Sequence, residues 1–520
     1  MGMPKMNNKK IVIVGGGTSG WLSAAYLAKR LKQASSSLLD ITLIESSDIP
    51  TIGVGEATIP GIRQTLSELG ISEKLFMRSC SATFKQAIKF VDWVNEPENG
   101  HSSHYYHNFS EPLKAGPEMY APYWALEKKA IGRDYSYSAT IQSQLCDKYL
   151  APKRLNDKDY TGPMHYAYHF DAGKFATLLK TEAKKNGVKH LVGNVSDVVK
   201  HSNGDIALLK TKEHGELIAD LYIDCTGFSA HLIEKSMDSE FKNINDVLFV
   251  DSAVTALVEY EEGEEIATAT SSTAKEAGWV WDIALATRRG TGYVYSSKYT
   301  TKQRAEEVLK EYIGKQGVNV KFRHLDMKVG YREKQWVNNC ISIGLSAGFI
   351  EPLESTGIHL VEIALKTLIN LFPWKGSNKA SALQFNKLMQ SQFQGTIDFI
   401  KMHYALSKRT DSDFWLDNQK KQTMPATLVE FLERCEYRVP NVFDLPVGPQ
   451  CFNLFSYLSV LYGMGYVPDL EHVRSQFKHW PQARQMTHQI DEILKRACVE
   501  LPNHRHYIEE LNRGELPNTK

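Results

Sequence analysis

Ile11-Val12-Ile13-Val14-Gly15-Gly16-Gly17-Thr18-Ser19-Gly20-Trp21 is the stretch that decides the fold. An apolar, β-branched run enters a glycine-rich turn and then an alanine- and leucine-rich segment, which reads as strand, tight turn and helix N-terminus. Gly15, Gly17 and Gly20 hold the positions of a G-x-G-x-x-G pattern. Missing side chains there permit the turn, let the backbone approach a pyrophosphate and let helix and strand pack closely. The unpaired N–H groups of the helix start, which follow Thr18 and Ser19, would face that anion. Ile41-Thr42-Leu43-Ile44-Glu45 is a second strand ending in a carboxylate, about 25 residues after the turn and near the spacing of a ribose-hydroxyl acceptor. With strand, helix and acid all in place, the turn is read as a dinucleotide site rather than a bare connection.

The chain has 520 residues, more than one core usually serves, so interleaved modules are expected. Lys+Arg of 61 against Asp+Glu of 60 leaves no basic excess to favour nucleic acid or an anionic membrane. Met1-Gly2-Met3-Pro4-Lys5 leads into the first strand without a signal-peptide apolar region, and no run of about 18 apolar residues could span a bilayer. The reading is a cytoplasmic enzyme. Seven cysteines without a C-x-x-C pair suggest reduced, mostly buried thiols rather than a disulfide or zinc scaffold.

Gly53-Val54-Gly55-Glu56-Ala57-Thr58-Ile59-Pro60 reads as a loop and then a short helix, with residues small enough for a flat cofactor to approach, though a simple connection would look the same. From Phe84 to Trp93 the alternation is that of one strand, with Phe84, Ile88 and Phe90 on one face and Lys85, Ala87 and Lys89 on the other. A lysine in such a place is ordinarily solvated. Residues 95–122 read as a long loop whose aromatic residues could wall a pocket. His101, His104 and His107 lack a helical pattern and a carboxylate at ligand spacing, so no metal site is assigned.

Asp171 should cap a helix, and Leu221-Tyr222-Ile223-Asp224 should be a strand closing the dinucleotide site. Trp279-Val280-Trp281-Asp282-Ile283-Ala284 and the stretch from Arg288 to Tyr295 read as a hairpin in which Trp279 and Trp281 share a face. After Gly344-Leu345-Ser346, the segment Glu351-Pro352-Leu353-Glu354-Ser355-Thr356-Gly357 leads into an amphipathic helix. Ser355 or Thr356 should cap that helix, whose N–H groups offer a second anion site beside Glu354. From about residue 380 the pattern is helical, interrupted between Val439 and Pro468.

Taken together, these motifs resemble the flavin-dependent tryptophan halogenase family over roughly residues 10 to 370, more weakly beyond. The glycine turn, Gly53 to Pro60, Phe84-Lys85 and Glu351 to Gly357 occur in family order. One departure is Ala284, where the family's Trp-x-Trp-x-Ile-Pro signature ends in proline; the element is expected to survive with altered backbone rigidity.

The resemblance implies an α/β fold: a Rossmann-like FAD-binding module interleaved with a β-sheet substrate module. Residues 1–375 would form the FAD-binding and halogenation module, with sheet segments at about 75–160 and 245–330, and residues 376–520 a mainly helical region contributing to the substrate pocket. FAD would lie against Gly15, Gly17, Thr18, Ser19, Gly20, Glu45, Gly55, Glu56, Ala57 and Leu345, and a halide at Thr356 and Gly357. Hypohalous acid, made with reduced FAD and oxygen, would pass to Lys85, which either hydrogen-bonds it or forms a haloamine. Glu354 would stabilise the arene cation and accept its proton. His107, Phe109, Phe452 and Asn453 would face the substrate, and Trp279 and Trp281 would keep it from the flavin. With no second dinucleotide motif, a separate flavin reductase would supply the reduced cofactor, chloride or bromide would be the halide, and a homodimer is compatible with the reading. An FAD-dependent aromatic hydroxylase and a non-catalytic flavin-binding sensor are the competing readings.

Overall fold

The computed structural model describes residues 8–32, 39–48, 55–446, 448 and 450–513. Its first sheet is the doubly wound one the glycine turn demands. Six strands run in the order Lys189–Val192, Leu39–Glu45, Lys9–Val14, Leu221–Asp224, Cys340–Ser342, Trp336–Val337, all pairs parallel except the last. Ile11, Ile13, Leu43 and Ile223 are at most 1% exposed, since a parallel sheet is covered on both faces. The register pairs Val14 with Ile44 and Asp224, so the strands end together and form one rim from which the turn springs. The Ala172–Lys185 helix is capped as expected, the Asp171 carboxylate accepting from the Lys174 N–H at 3.0 Å.

A second sheet of seven strands has the order Arg323–Asp326, Ser252–Glu259, Arg288–Tyr295, Gly278–Ala284, Ala269–Lys275, Ala87–Val91, His104–Asn108. The hairpin is present, with Trp279 opposite Val294 and Ala284 opposite Arg289, so the strand persists through the position where the signature has proline. Between the two large sheets lies a small antiparallel one, Gly55–Ala57, Ala167–Asp171 and Thr83–Lys85.

This small sheet corrects the expected single strand from Phe84 to Trp93. Thr83–Lys85 pairs with Ala167–His169, whereas Ala87–Val91 pairs with Ala269–Thr273 and with His104–Asn108. Gln86 is the crossing point, its N–H donating to the Thr268 carbonyl at 2.6 Å. Lys85 therefore sits between sheets and is fully buried rather than solvated. The stretch 95–122 is also not all loop. His104–Asn108 is a strand, Lys114–Ala115 pairs with Glu118–Met119, and a helix begins at Ala121. Its polar and aromatic residues hide the alternation because Tyr105, Tyr106, His107 and Asn108 are all buried.

The C-terminal region packs helices Lys379–Ala405, Ala426–Arg434, Leu454–Gly463, Trp480–Glu500 and His504–Arg513 on this frame. The Leu454–Gly463 helix lies inside the expected interruption. It is apolar nearly all round, as a buried helix is, and so carries no amphipathic period. It approaches the His104–Asn108 strand so closely that a side chain at Gly463 would overlap the Tyr105 ring.

Candidate active site

The glycines divide the labour of the turn. Gly15 has φ +114°, and a side chain there would overlap the Cys225 carbonyl; one at Gly20 would overlap the Gly15 carbonyl. Gly17 alone faces open space, with no protein atom within 4 Å of an added Cβ. First and third glycines thus serve chain packing, and the middle one leaves room for a ligand. No side chain caps the Thr18–Leu27 helix, which leaves its first N–H groups to that space.

A cavity of about 970 Å³ starts here. Gly15 to Ser19, Glu45, Gly55, Glu56, Ala57 and Leu345 line it, and it extends past Trp279 and Trp281 to Ser355 and Gly357. Gly20 is buried beneath the turn, and Gly53 and Val54 lie outside the described residues. Volume, glycine cradle and uncapped helix fit a dinucleotide cofactor. Glu45, the expected ribose acceptor, is already engaged: it accepts from Lys180 Nζ at 2.9 Å, His190 Nε2 at 2.8 Å and Trp21 Nε1 at 3.3 Å. Burial acts to raise this carboxyl, but Lys180, Trp21 and His190 hold it below its ordinary value. Of about four acceptor positions on a carboxylate, one remains for a ribose hydroxyl. Burial pushes the Glu56 carboxyl up to about 7.

The far end is built by the turn before the Gly357–Asn370 helix. Ser355 stands at φ +58°, a left-handed conformation that a serine adopts only when its surroundings impose it. Neither expected residue caps the helix. Ser355 Oγ accepts from Lys85 Nζ at 2.8 Å, and Thr356 Oγ1 is buried without a partner. Nothing lies within 4 Å of an added Cβ at Gly357. Uncapped N–H groups and open space coincide at Gly357, at the end of the cavity, features that an anion site would use.

Beyond Ser355 lies a cluster of buried side chains. Burial pushes the Lys85 amine down to about 7, against the opposing pull of Glu354. Its Nζ stands 5.3 Å from the Phe109 ring centroid. Glu354 is fully buried and accepts from His107 Nδ1 at 2.9 and 3.1 Å and from His403 Nε2 at 2.9 Å. Burial would raise its carboxyl, but the two histidines hold it down at about 2. Phe452 stacks on Phe399 with centroids 3.8 Å apart, and lies 6.5 Å from the His107 ring. Lys85, Glu354, His107, Phe109 and Phe452 thus meet in one place. Asn453 does not join them, being the exposed cap of the Leu454–Gly463 helix, its side chain accepting from the Ser456 N–H at 3.0 Å.

Trp279 and Trp281 stand edge to face along the cavity wall, 6.4 Å apart. Trp279 Nε1 donates to Glu351 Oε1 at 3.1 Å, as does the Tyr404 hydroxyl at 2.7 Å. Sequence reading missed Glu351, Tyr404 and His403. The two helix residues sit in an ordinary amphipathic pattern, and only the proximity of Glu351 to Glu354 in the same motif offered a signal. No group of three His, Cys, Asp or Glu residues among the described residues could hold a metal, and all seven cysteines are free.

A doubly wound nucleotide module whose cavity runs to the start of the Gly357–Asn370 helix, next to a fully buried lysine and a fully buried carboxylate, has the layout of a nucleotide-dependent oxidoreductase. Comparison with known proteins gives the family. Residues 10–479 match the family model for tryptophan halogenase. The chain is 36% identical over 490 residues to tryptophan 6-halogenase SttH of Streptomyces toxytricini, covering 89% of this chain and 91% of that one. Over 512 residues it is 35% identical to tryptophan 7-halogenase RebH of Lentzea aerocolonigenes, covering 93% and 94%. Tar14, a tryptophan C-6 flavin-dependent halogenase (chlorinase) from taromycin biosynthesis, superposes with a TM-score of 0.90 at 35% identity, covering 97% of this chain and 100% of that one. The chain belongs to the tryptophan halogenase family and is an enzyme of the flavin-dependent halogenase type. The hydroxylase reading is not favoured, and the likeness continues well past residue 370.

Proposed function

We propose that this enzyme uses reduced FAD, dioxygen and chloride or bromide to halogenate indole or a substituted indole, with a separate flavin reductase supplying the reduced cofactor. The observation that carries the reading is the single cavity joining the glycine turn to Ser355 and Gly357, with Lys85 and Glu354 sealed immediately beyond. When bound, reduced FAD supplies the oxygen activation by which a halide becomes hypohalous acid. The chain's own residues do the rest. The N–H groups at Gly357 hold the halide without offering a side chain for the oxidant to attack. Lys85, through Ser355 at the cavity's end, takes up the oxidised halogen, and Glu354 stabilises the cationic arene and accepts its proton. Trp279 and Trp281 wall the cavity between the glycine turn and Ser355.

The polar end of a free amino acid needs partners when buried. Phe109, Phe399 and Phe452 offer none, and Asn453 is spent as a helix cap. This supports indole over free tryptophan, with C3, the most nucleophilic position of a loosely held ring, as the favoured site. Incubation with FAD, a flavin reductase, NADH, oxygen, bromide or chloride and a panel of indoles, followed by mass spectrometry, tests the reading. Halogen isotope doublets, with a higher specificity constant for indole than for tryptophan, are expected. Products gaining one oxygen, or no product from any arene, would overturn it.

A further inference from the structure

His403, on the Lys379–Ala405 helix, is fully buried and has an acceptor at each end of its ring. Nδ1 lies 2.9 Å from the Phe399 carbonyl oxygen, and Nε2 lies 2.9 Å from Glu354 Oε1. A carbonyl only accepts, so Nδ1 carries a proton. In a neutral ring Nε2 would then aim a lone pair at a carboxylate oxygen, two acceptors at hydrogen-bond distance. One proton must lie between them, on the imidazole or on the carboxyl. His107 holds the same carboxylate through Nδ1, so Glu354 is clasped between two rings from different elements.

We propose that His403 is a positioning residue for halogenation, sharing one proton with Glu354 so that this carboxylate stands charged and oriented beside Lys85. The inference rests on the halogenase reading above. A fully buried carboxylate without a compensating cation takes up a proton instead. The groups facing this pair are His107 and Tyr105 from the His104–Asn108 strand, Lys85 from the small sheet, and Tyr404 from the same helix. Glu351 lies on the turn that carries Glu354, with Lys401 as its charged neighbour. Burial drives Lys85, Lys401 and Glu351 towards their neutral forms and keeps Tyr105 and Tyr404 protonated. With a proton obliged to lie between Nε2 and Oε1, the His403 imidazolium balances Glu354 by direct contact.

The chemistry closes on this arrangement. Hypohalous acid and the arene give haloarene and water: the carbon–halogen bond forms, the halogen–oxygen and C–H bonds break, and the C–H electron pair returns to the ring. Glu354 Oε2 carries the ring proton to the departing oxygen or to water, while Oε1 stays bonded to His403. A cationic arene is so strong an acid that a weakly basic carboxylate suffices, provided it is an anion when the ring charge develops.

The test uses the full chain labelled with ¹⁵N-histidine, in which an imidazolium is distinguished from either neutral tautomer; the signals lost in His403→Gln, or in His403→Asn should the first not fold, assign the ring. The His403 ring should give the signals of a doubly protonated imidazole in the unsubstituted enzyme and those of a neutral tautomer in Glu354→Gln at the same pH. A neutral His403 ring in the unsubstituted enzyme overturns the proposal. His403→Gln keeps a donor but loses the charge, so the acid limb of kcat/KM, set by the Glu354 carboxyl, should move up by at least about one pH unit, with KM for the arene within about twofold. Loss of rate without that shift would mean a merely structural residue. Absence of halogenated product from the unsubstituted enzyme would instead sink the halogenase reading while leaving the spectroscopic result standing.

Discussion

Burial holds the Lys85 amine near 7 although Glu354 favours its cation. An unfolded lysine keeps its proton to about 10.4, so between those values the unfolded chain binds a proton the folded chain has released. Lys85 therefore makes stability rise with pH from about 7 to about 10 and contributes no slope below. Lys85→Met should flatten that slope, raise Tm by a few degrees at pH 8 and abolish halogenated product while FAD binding persists. Retained product, or a lowered Tm, would mean that the Ser355 hydrogen bond outweighs the desolvation and that the chemistry lies elsewhere. Glu354 has the opposite sense. Its folded value of about 2 lies below that of a free carboxyl, so its stability is present above about 4.5 and lost as the pH falls through 2. Glu354→Gln should slow turnover by about 10²-fold, measured as halogenated product under saturating arene. An unchanged rate would reduce it to a structural group.

Short elements set these residues. The turn at Ser355 turns the serine hydroxyl to Lys85 and leaves the Gly357 helix uncapped, two tasks a side-chain cap would have prevented. Motif order in the sequence pointed to Lys85, Glu354 and Gly357. It could not reveal that the Lys85 strand ends at its own residue, because alternation runs unbroken through Gln86 while the pairing partner changes. The expected cap failed similarly: serine and threonine before a helix look like caps whatever their hydroxyls contact. Gly357 has an ordinary negative φ and free space around its Cβ position, so Gly357→Ala should fold with equal or slightly higher stability. Its methyl group would occupy the anion's room, raising the KM for bromide by about tenfold, read from product formation against bromide concentration. An unchanged bromide KM would move the halide site away from this helix.

Over the whole molecule, the strand–turn–helix unit was legible because its three constraints are local, whereas the cluster around Lys85 and Glu354 draws on residues more than 300 positions apart and no local pattern announces them. The last helix shows this best. His504 is fully buried, with Nδ1 donating to the Ile266 carbonyl at 2.9 Å and Nε2 accepting from the Phe84 N–H at 3.1 Å. Tyr507, one turn on, meets the Phe84 ring edge to face at 5.0 Å. The C-terminal helix thus holds the residue beside Lys85, far from the glycine turn at the other end of the cavity. Burial pulls the His504 imidazole down to about 4, so its contribution is present above the ordinary histidine value and lost as the pH falls from about 6.5 to 4. His504→Ala leaves the Phe84 N–H without its acceptor and frees the Lys85 strand to shift. A displacement of about 1 Å there is enough to cost about 10²-fold in rate. Halogenation should fall by that order while FAD affinity stays within about twofold, and backbone hydrogen exchange should quicken at Phe84 and Lys85 but not at Ile13 or Val14. Equal loss of FAD binding and turnover would show that the glycine-turn cavity and the Lys85 cluster are not separately supported. Unchanged turnover would show that the small sheet holds Lys85 without the C-terminal helix.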